Sequence, residues 1–352
     1  MKLSELGEDD LVARLRERVP AYGPAVRIGI GDDAAALEIP AGELALLSTD
    51  ALVEGVHFTR ETLPLRFIGR KAVAANASDV AAMGGRPSAV LCSLFVSPDE
   101  EVGDLLEVLD GVVERAREVG CDLVGGNLSS SSGPLTVSLT ILGTSVGQKV
   151  LCRTGARPGD ALVVSGKLGA SAEGLALLRE GLALSESGAV GVPASLREGP
   201  LALAESCLRA HRDPDPRVAL GLFLAATGAV TACIDLSDGL RRDLTRLTRA
   251  SGVGARLEEA LLPVHPGVLA FERLARRDPL ELALSGGEDY ELLFTVRDKA
   301  VLEEWRKRSD LLVTRIGRVT EVKEGISLTL KDGTERRLTA SGWDHFKPSG
   351  RA

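Results

Sequence analysis

Carboxylates recur in this chain beside glycines and hydroxyls, at the ends of apolar runs. The stretches are Gly29-Ile30-Gly31-Asp32-Asp33, Ser48-Thr49-Asp50, Asp79, Asp235-Leu236-Ser237-Asp238 and Gly286-Gly287-Glu288-Asp289. One Asp beside Gly is an ordinary turn, but the repetition of the pattern after strand-like runs points to loops that carry function. Gathered carboxylates repel: two unit charges at about 4 Å cost about 4 kcal/mol at an effective dielectric near 20. Such a cluster needs protons or bound cations. Carboxylate, hydroxyl and carbonyl oxygens suit Mg²⁺, which bridges protein carboxylates to substrate phosphates. The pattern therefore implies a metal–phosphate site and an anionic substrate, most naturally a nucleotide.

Two common phosphate motifs fit poorly. Gly29-Ile30-Gly31-Asp32-Asp33-Ala34 superficially matches a dinucleotide fingerprint, with Asp50 about 20 residues on. That motif must open a helix, whereas Pro40, Gly42 and the alternating Ala-Leu-Glu-Ile run leave none. Ser165-Gly166-Lys167 lacks the earlier glycine of a P-loop, so Lys167 is expected in a turn.

The totals exclude other classes. The 352 residues suffice for two domains with full cores. Hydrophobic content of 44% with 26% charged residues is that of a globular protein. A net charge of -8 and only 3% aromatics argue against a nucleic-acid partner. No apolar run approaches the roughly 20 residues of a membrane span. The acidic start, Met1 to Asp10, lacks the order of a signal peptide, so a cytoplasmic location is expected. Cysteines 92, 121, 152, 207 and 233 form no Cys-x-x-Cys pair and read as small core residues, with no zinc site.

These loops need strands and helices to position them. Residues 4–19 pattern as one amphipathic helix with Leu11, Leu15 and Val19 on a face. Strand-like runs follow near 25–28, 34–39 and 44–50. Pro64 opens a helix to about Met83, on which Lys71, Asn76 and Asp79 punctuate an alanine-rich surface before Gly84-Gly85. A strand is expected over 87–96. Ser97-Pro98-Asp99-Glu100 then reads as a capping box for a helix to Glu118, stopped by Gly120. Cys121–Val124 and Leu135–Thr144 read as strands flanking a Gly- and Ser-rich loop over 125–134. Gly147, Gly155, Pro158 and Gly159 mark a boundary, giving domains over 1–147 and 148–352. Beyond it come strands at 161–165, 230–235, 252–257, 291–296 and 312–319, and helices at 170–179, 200–210, 216–227 and 239–250. The class is α/β or α+β in two domains.

A set of blocks carries a resemblance over nearly the whole chain. Gly29-Ile30-Gly31-Asp32-Asp33-Ala34-Ala35, Ser48-Thr49-Asp50, Glu54-Gly55-Val56-His57-Phe58 and Asn76-Ala77-Ser78-Asp79-Val80-Ala81-Ala82-Met83-Gly84 come first. Ile234-Asp235-Leu236-Ser237-Asp238-Gly239-Leu240, Ser285-Gly286-Gly287-Glu288-Asp289-Tyr290-Glu291-Leu292 and Gly342-Trp343-Asp344-His345-Phe346 follow. Together, and in this order, they resemble the thiamine-monophosphate kinases. The resemblance implies the two-domain fold shared with aminoimidazole ribonucleotide synthetase: an N-terminal ATP- and Mg²⁺-binding domain that dimerises through its sheet, and a C-terminal α/β domain. It implies transfer of the ATP γ-phosphoryl group to thiamine monophosphate, giving thiamine diphosphate in a homodimer. Carried over residue by residue, Asp33, Ser48, Thr49, Asp50, Asp79, Asn127, Asp235 and Asp238 would hold several Mg²⁺ ions, with Asp32 second to Asp33. Gly125, Gly126, Arg153 and Ser237 would contact ATP. His57, Glu288 and Trp343 would shape the thiamine side, Trp343 with its aromatic face toward a cationic ring.

Plainer roles stand beside these. By their residues alone, His57 next to Phe58 reads as a structural histidine and Arg153 as a surface arginine, while Trp343 could anchor the tail and Asp238 could cap a helix. One departure is notable: the family has Asp where Asn127 stands, and a neutral amide should hold Mg²⁺ less tightly. The acceptor implied by the resemblance is a phosphate monoester with a second pKa of about 6. It needs no general base, so no catalytic acid–base residue is assigned. Alternatives are a related ATP-dependent ligase or maturation enzyme of the same fold, and a nucleotide-binding protein that has lost catalysis.

Overall fold

A computed structural model of the chain describes residues 1–19, 21–30, 34–184, 190–191, 201–275 and 277–339. Asp32, Asp33 and Trp343 lie outside the described residues. The chain divides into two compact units, Met1–Ala81 with Gly85–Lys149, and Ala82–Gly84 with the chain from Val150 on.

The first unit contains α1 (Leu3–Leu6), α2 (Glu8–Arg18), β1 (Val26–Ile28), β2 (Ala36–Leu37), β3 (Ala45–Val53), α3 (Leu65–Ala82), β4 (Arg86–Val96), α4 (Val102–Glu118), β5 (Asp122–Ser130) and β6 (Thr136–Thr144). The main sheet runs β3-β6-β4-β5, antiparallel except for the parallel β4–β5 pair, while β1 and β2 form a small hairpin. Alternation along the strands buries one face: Leu94, Val137, Leu139 and Ile141 pack with Ile68 and Val73 of α3 and Leu105, Val108 and Val112 of α4. The other face of this sheet carries Leu47, Leu91 and Phe95, all exposed. Helices α3 and α4 touch backbone to backbone, since a Cβ on Gly111 would overlap the Arg66 carbonyl oxygen.

Three local expectations are corrected here. The helix over 4–19 breaks at Gly7, whose φ of 83° ends α1 before α2 begins. The Ser97 capping box does not form, and α4 starts at Val102. The chain start captures that segment instead: Leu3 N–H donates to the Glu100 carbonyl and Ser4 N–H to that of Pro98, both at 2.9 Å. The stretch Gly125 to Ser130 is strand rather than loop, because β5 continues in register with β4 as far as Val96.

The second unit contains β7 (Ala161–Ser165), α5 (Ala170–Arg179), β8 (Ala183–Leu184), β9 (Val190–Gly191), α6 (Leu201–Arg212), α7 (Val218–Thr227), β10 (Val230–Asp235), α8 (Leu240–Ser251), β11 (Gly254–Glu258), α9 (Pro266–Ala275), α10 (Pro279–Ser285), β12 (Leu292–Val296), α11 (Ala300–Arg306), β13 (Val313–Thr320), β14 (Ile326–Thr329) and β15 (Glu335–Arg337). Its sheet runs β10-β12-β7-β13-β11-β14-β15, and β8 pairs with β9. Strands β7 and β12 are buried at every position, which is why they read as continuous apolar runs without alternation. Their core includes Leu162, Val164, Ile234 and Leu293, with Leu244 and Leu247 of α8. Helices α9, α10 and α11 and strands β14 and β15 have no counterpart in the sequence reading.

All five cysteines are free thiols; Cys92, Cys121, Cys207 and Cys233 are buried and Cys152 is exposed. Burial pushes the Cys92 thiol up to about 12, so it stays an unreactive core group.

Candidate functional site

In the first unit, register sorts the expected ligands by face. Ser48, Asp50 and Leu52 stand opposite Ile141, Leu139 and Val137, and those three partners are buried beneath the helices. Ser48 and Asp50 therefore face the α3 side. Asp79 approaches from α3, and Ser48 Oγ donates to its Oδ2 at 2.5 Å. Thr49 turns the other way. Its hydroxyl donates to the Leu139 carbonyl at 2.9 Å and receives a bond from the Thr140 hydroxyl at 3.2 Å. The Thr49 hydroxyl is thus turned away from Ser48 and Asp79.

Asn127 lies on the uncovered face as well. It pairs with Ser93, and Ser93 pairs with Ser138. Strand β5 also forms the opposite edge of the sheet from β3. Within one unit, then, Asn127 is not brought to Ser48, Asp50 and Asp79. The deciding feature is a register shift after Val90, where Leu91 pairs with Gly125 and skips Val124. One residue of slip exchanges the two faces of a strand. A cavity of about 660 Å³ joins Gly125, Gly126 and Asn127 to Gly29, Ile30 and Ala34, which flank the acidic loop. A Cβ on Gly126 would overlap the Cys92 carbonyl oxygen, so this glycine is needed for strand pairing whatever else it binds.

His57 sits in the turn after β3, where its Nδ1 accepts the Val53 N–H at 3.0 Å and its own N–H donates to the Val53 carbonyl at 2.9 Å. The neutral ring therefore carries its proton on Nε2. Among the described residues, no three of His, Cys, Asp and Glu converge to hold a metal ion. The donors that do meet, the Ser48 hydroxyl and the Asp79 carboxylate with Asp50 on the same face, are oxygens only. That donor set fits Mg²⁺ rather than zinc.

In the second unit the acidic loops lie at one end of the sheet's strands. Ser165 ends β7, Asp235 ends β10, and Leu292, opposite Asp235, begins the antiparallel β12. Main-chain bonds stitch the loops after β10 and before β12: Leu236 N–H to the Glu291 carbonyl at 2.8 Å, Glu288 N–H to Ser237 at 2.8 Å and Tyr290 N–H to Leu236 at 2.9 Å. A Cβ on Gly287 would stand 2.7 Å from the Ser237 carbonyl oxygen, which explains the paired glycines by close approach. The connection is strained: Glu288 and Tyr290 have φ of 63° and 49°, where side chains rarely sit.

Charges here are mostly committed. Asp235 is buried. Asp238 does not cap α8; Gly239 occupies the cap position without a side-chain bond. The Asp238 carboxylate instead meets Arg246 at 2.5 Å and Arg242 at 3.6 Å. Beneath it Asp243 accepts the Asp238 N–H at 3.0 Å, and burial pushes its carboxyl up to about 6. Asp289 is pushed up to about 7 by desolvation, opposed by the Gly169 and Ser171 N–H groups it accepts at 2.8 and 3.3 Å. Glu291 is buried and held by Arg217 through bonds of 2.7 and 2.5 Å, with the Ser165 hydroxyl donating to it as well. Arg153 is exposed, on a segment that follows the β10 edge: Cys233 N–H donates to the Cys152 carbonyl, and Ser251 Oγ to that of Arg153, both at 2.8 Å.

Arg217, Ser171, His211 and Asp243 escaped the sequence reading. A signal existed for two of them. His211-Arg212-Asp213-Pro214-Asp215-Pro216-Arg217 places two prolines among charges between helical patterns, an unusual way to join helices.

The chain matches the AIR synthase related protein family, its N-terminal domain over residues 31–145 and its C-terminal domain over 157–328. It is 34% identical to the thiamine-monophosphate kinase of Rhodopirellula baltica, over 97% of this chain and 96% of that one. It superimposes on the structure of AaThiL complexed with AMPPCP and TMP with a TM-score of 0.74, at 33% identity, covering 98% and 99% of the two chains. The hydrogenase maturation protein HypE of Escherichia coli matches with a TM-score of 0.72 at 23% identity, over 98% and 99%, and shares the fold alone.

Proposed function

The chain belongs to the thiamine-monophosphate kinase family, and we infer that it transfers the γ-phosphoryl group of ATP to thiamine monophosphate, giving thiamine diphosphate. It is a phosphotransferase with a phosphate group as acceptor. The carrying observation is similarity along nearly the full length of both chains, at an identity well above that of the maturation protein with the same fold.

The acceptor phosphate is largely dianionic near neutral pH, with a second pKa of about 6, so the reaction needs no base to make a nucleophile. Its barrier is bringing two polyanions into line, which positioned positive charge lowers. We therefore propose direct in-line transfer without a phosphoenzyme. Ser48, Asp50 and Asp79 would hold Mg²⁺ in the first unit, with Asp33 and Thr49. Asp235 and Asp238 would do so in the second, where Arg246 must release Asp238. Bound Mg²⁺ supplies charge neutralisation at the phosphates. Gly125, Gly126, Arg153 and Ser237 would contact ATP. His57, Glu288 and Trp343 would meet the thiamine moiety. A cytoplasmic location follows from the need for ATP; among the described residues no helix is long and apolar enough to cross a membrane.

The test is incubation with ATP, Mg²⁺ and thiamine monophosphate. Thiamine diphosphate and ADP should form in equal amounts, and labelled ATP should leave no phosphoprotein. ATP binding without product would indicate a nucleotide-binding protein. A phosphoprotein that forms and decays at the turnover rate would overturn direct transfer.

The uncovered sheet face supports a homodimer. Leu47, Leu91 and Phe95 are 72%, 41% and 38% exposed there, apolar surface that a partner subunit would cover. Sedimentation should give twice the chain mass; a monomer throughout the micromolar range would contradict it.

A further inference from the structure

His211, in the last turn of α6, is buried to 1% exposure, and Ser171 at the start of α5 to 0%. The His211 Nδ1 lies 3.3 Å from Ser171 Oγ and 3.6 Å from Glu288 Oε2. Helix α6 comes this close because Gly174 of α5 has no side chain: a Cβ there would overlap the Cys207 carbonyl oxygen and stand 3.1 Å from the His211 Cβ. The next residue, Asp289, is tied to the same turn through the Gly169 and Ser171 N–H groups. Two successive carboxylates of one strained loop are thus referenced to α5. Glu288 holds a φ of 63°, a conformation that persists only when its surroundings impose it.

A carboxylate only accepts, so the ring must carry its proton on Nδ1 to bond Glu288. At 3.6 Å the pair is in ion-pair reach and too long for a hydrogen bond. Such pairs often tighten when substrate arrives. We propose that His211, steadied by Ser171, is a positioning residue that aims the Glu288 carboxylate at the thiamine moiety. It therefore sets affinity for thiamine monophosphate and leaves ATP binding alone. The proposal rests on the reading of Glu288 as a thiamine-side residue.

The test compares His211→Ala, His211→Asn, His211→Gln, Glu288→Ala and the double alanine variant by steady-state kinetics on both substrates. An Asn amide nitrogen falls near the lost Nδ1, whereas that of Gln falls near Nε2. His211→Ala and His211→Gln should raise KM for thiamine monophosphate by about 10-fold or more, as loss of a supporting contact typically does. His211→Asn should stay within about 2-fold, and KM for ATP should hold in every variant. The double variant should be no worse than Glu288→Ala, because both remove one interaction. A merely structural histidine would shift both substrates alike, and Asn would rescue no better than Gln; either result overturns the proposal. If Glu288→Ala raises KM and His211→Ala does not, the positioning role alone fails. If Glu288→Ala leaves KM unchanged, the thiamine-side role of Glu288 fails and the proposal with it.

Discussion

Replacing Asp79 by Asn is expected to lower kcat by about 100- to 1000-fold, the usual cost of removing one preorganised electrostatic group. Asn has the shape of Asp and its carbonyl oxygen can still accept the Ser48 hydroxyl, so the 2.5 Å contact between α3 and β3 has a replacement. What disappears is the negative charge. The melting temperature should therefore move by only a few degrees, while the Mg²⁺ concentration for half-maximal rate should rise. Initial rates across a Mg²⁺ titration, beside a thermal melt, separate the two effects. A kcat unchanged at every Mg²⁺ concentration would remove Asp79 from the metal site. A collapse of the melt would instead make the Asp79 charge itself structural.

Truncating Arg217 to Ala should destabilise the second unit by about 3–5 kcal/mol, the cost of leaving a buried charge unpaired. Glu291 is 3% exposed, and truncating Arg217 leaves the neutral Ser165 hydroxyl donating to its carboxylate in place of the guanidinium. For a domain of this size each kcal/mol moves the melt by about 2–4 °C, so a fall of about 6–20 °C is expected. Glu291 also accepts the Leu236 N–H through its carbonyl, next to Tyr290 with its positive φ, so the loops after β10 and before β12 should loosen too. Adding Glu291→Gln to an Arg217→Met change should recover much of the loss, because a neutral pair has little desolvation to repay. A melt within 2 °C of the parent for Arg217→Ala would show that the pair is dispensable.

The legible parts of this protein share a physical trait: each is written in local residue order. Apolar periodicity placed α3, β4, β6, β7, β10 and α8 within a few residues, and the acidic blocks marked the loops around them. Apart from the break at Gly7, the corrected elements of the first unit are ones where a distant partner decided. Ser97 to Glu100 has every local mark of a capping box, yet residues 1–4 take up the carbonyls of that segment. Gly125 to Ser130 has loop composition and becomes strand because β4 offers an edge to pair with.

The acidic blocks, in their order, carried the resemblance to the family, and from that resemblance came the phosphate acceptor that needs no base. Residue types by themselves led only to the expectation of oxygen ligands and an anionic substrate. Tertiary structure alone decided which side chains meet. Strand register put Ser48 and Asp50 on the face of Asp79 and turned Thr49 and Asn127 to the other, since a face depends on a count modulo two that one skipped residue reverses. Helix packing brought His211 to Glu288 across 77 positions of sequence, a distance at which no local pattern carries information.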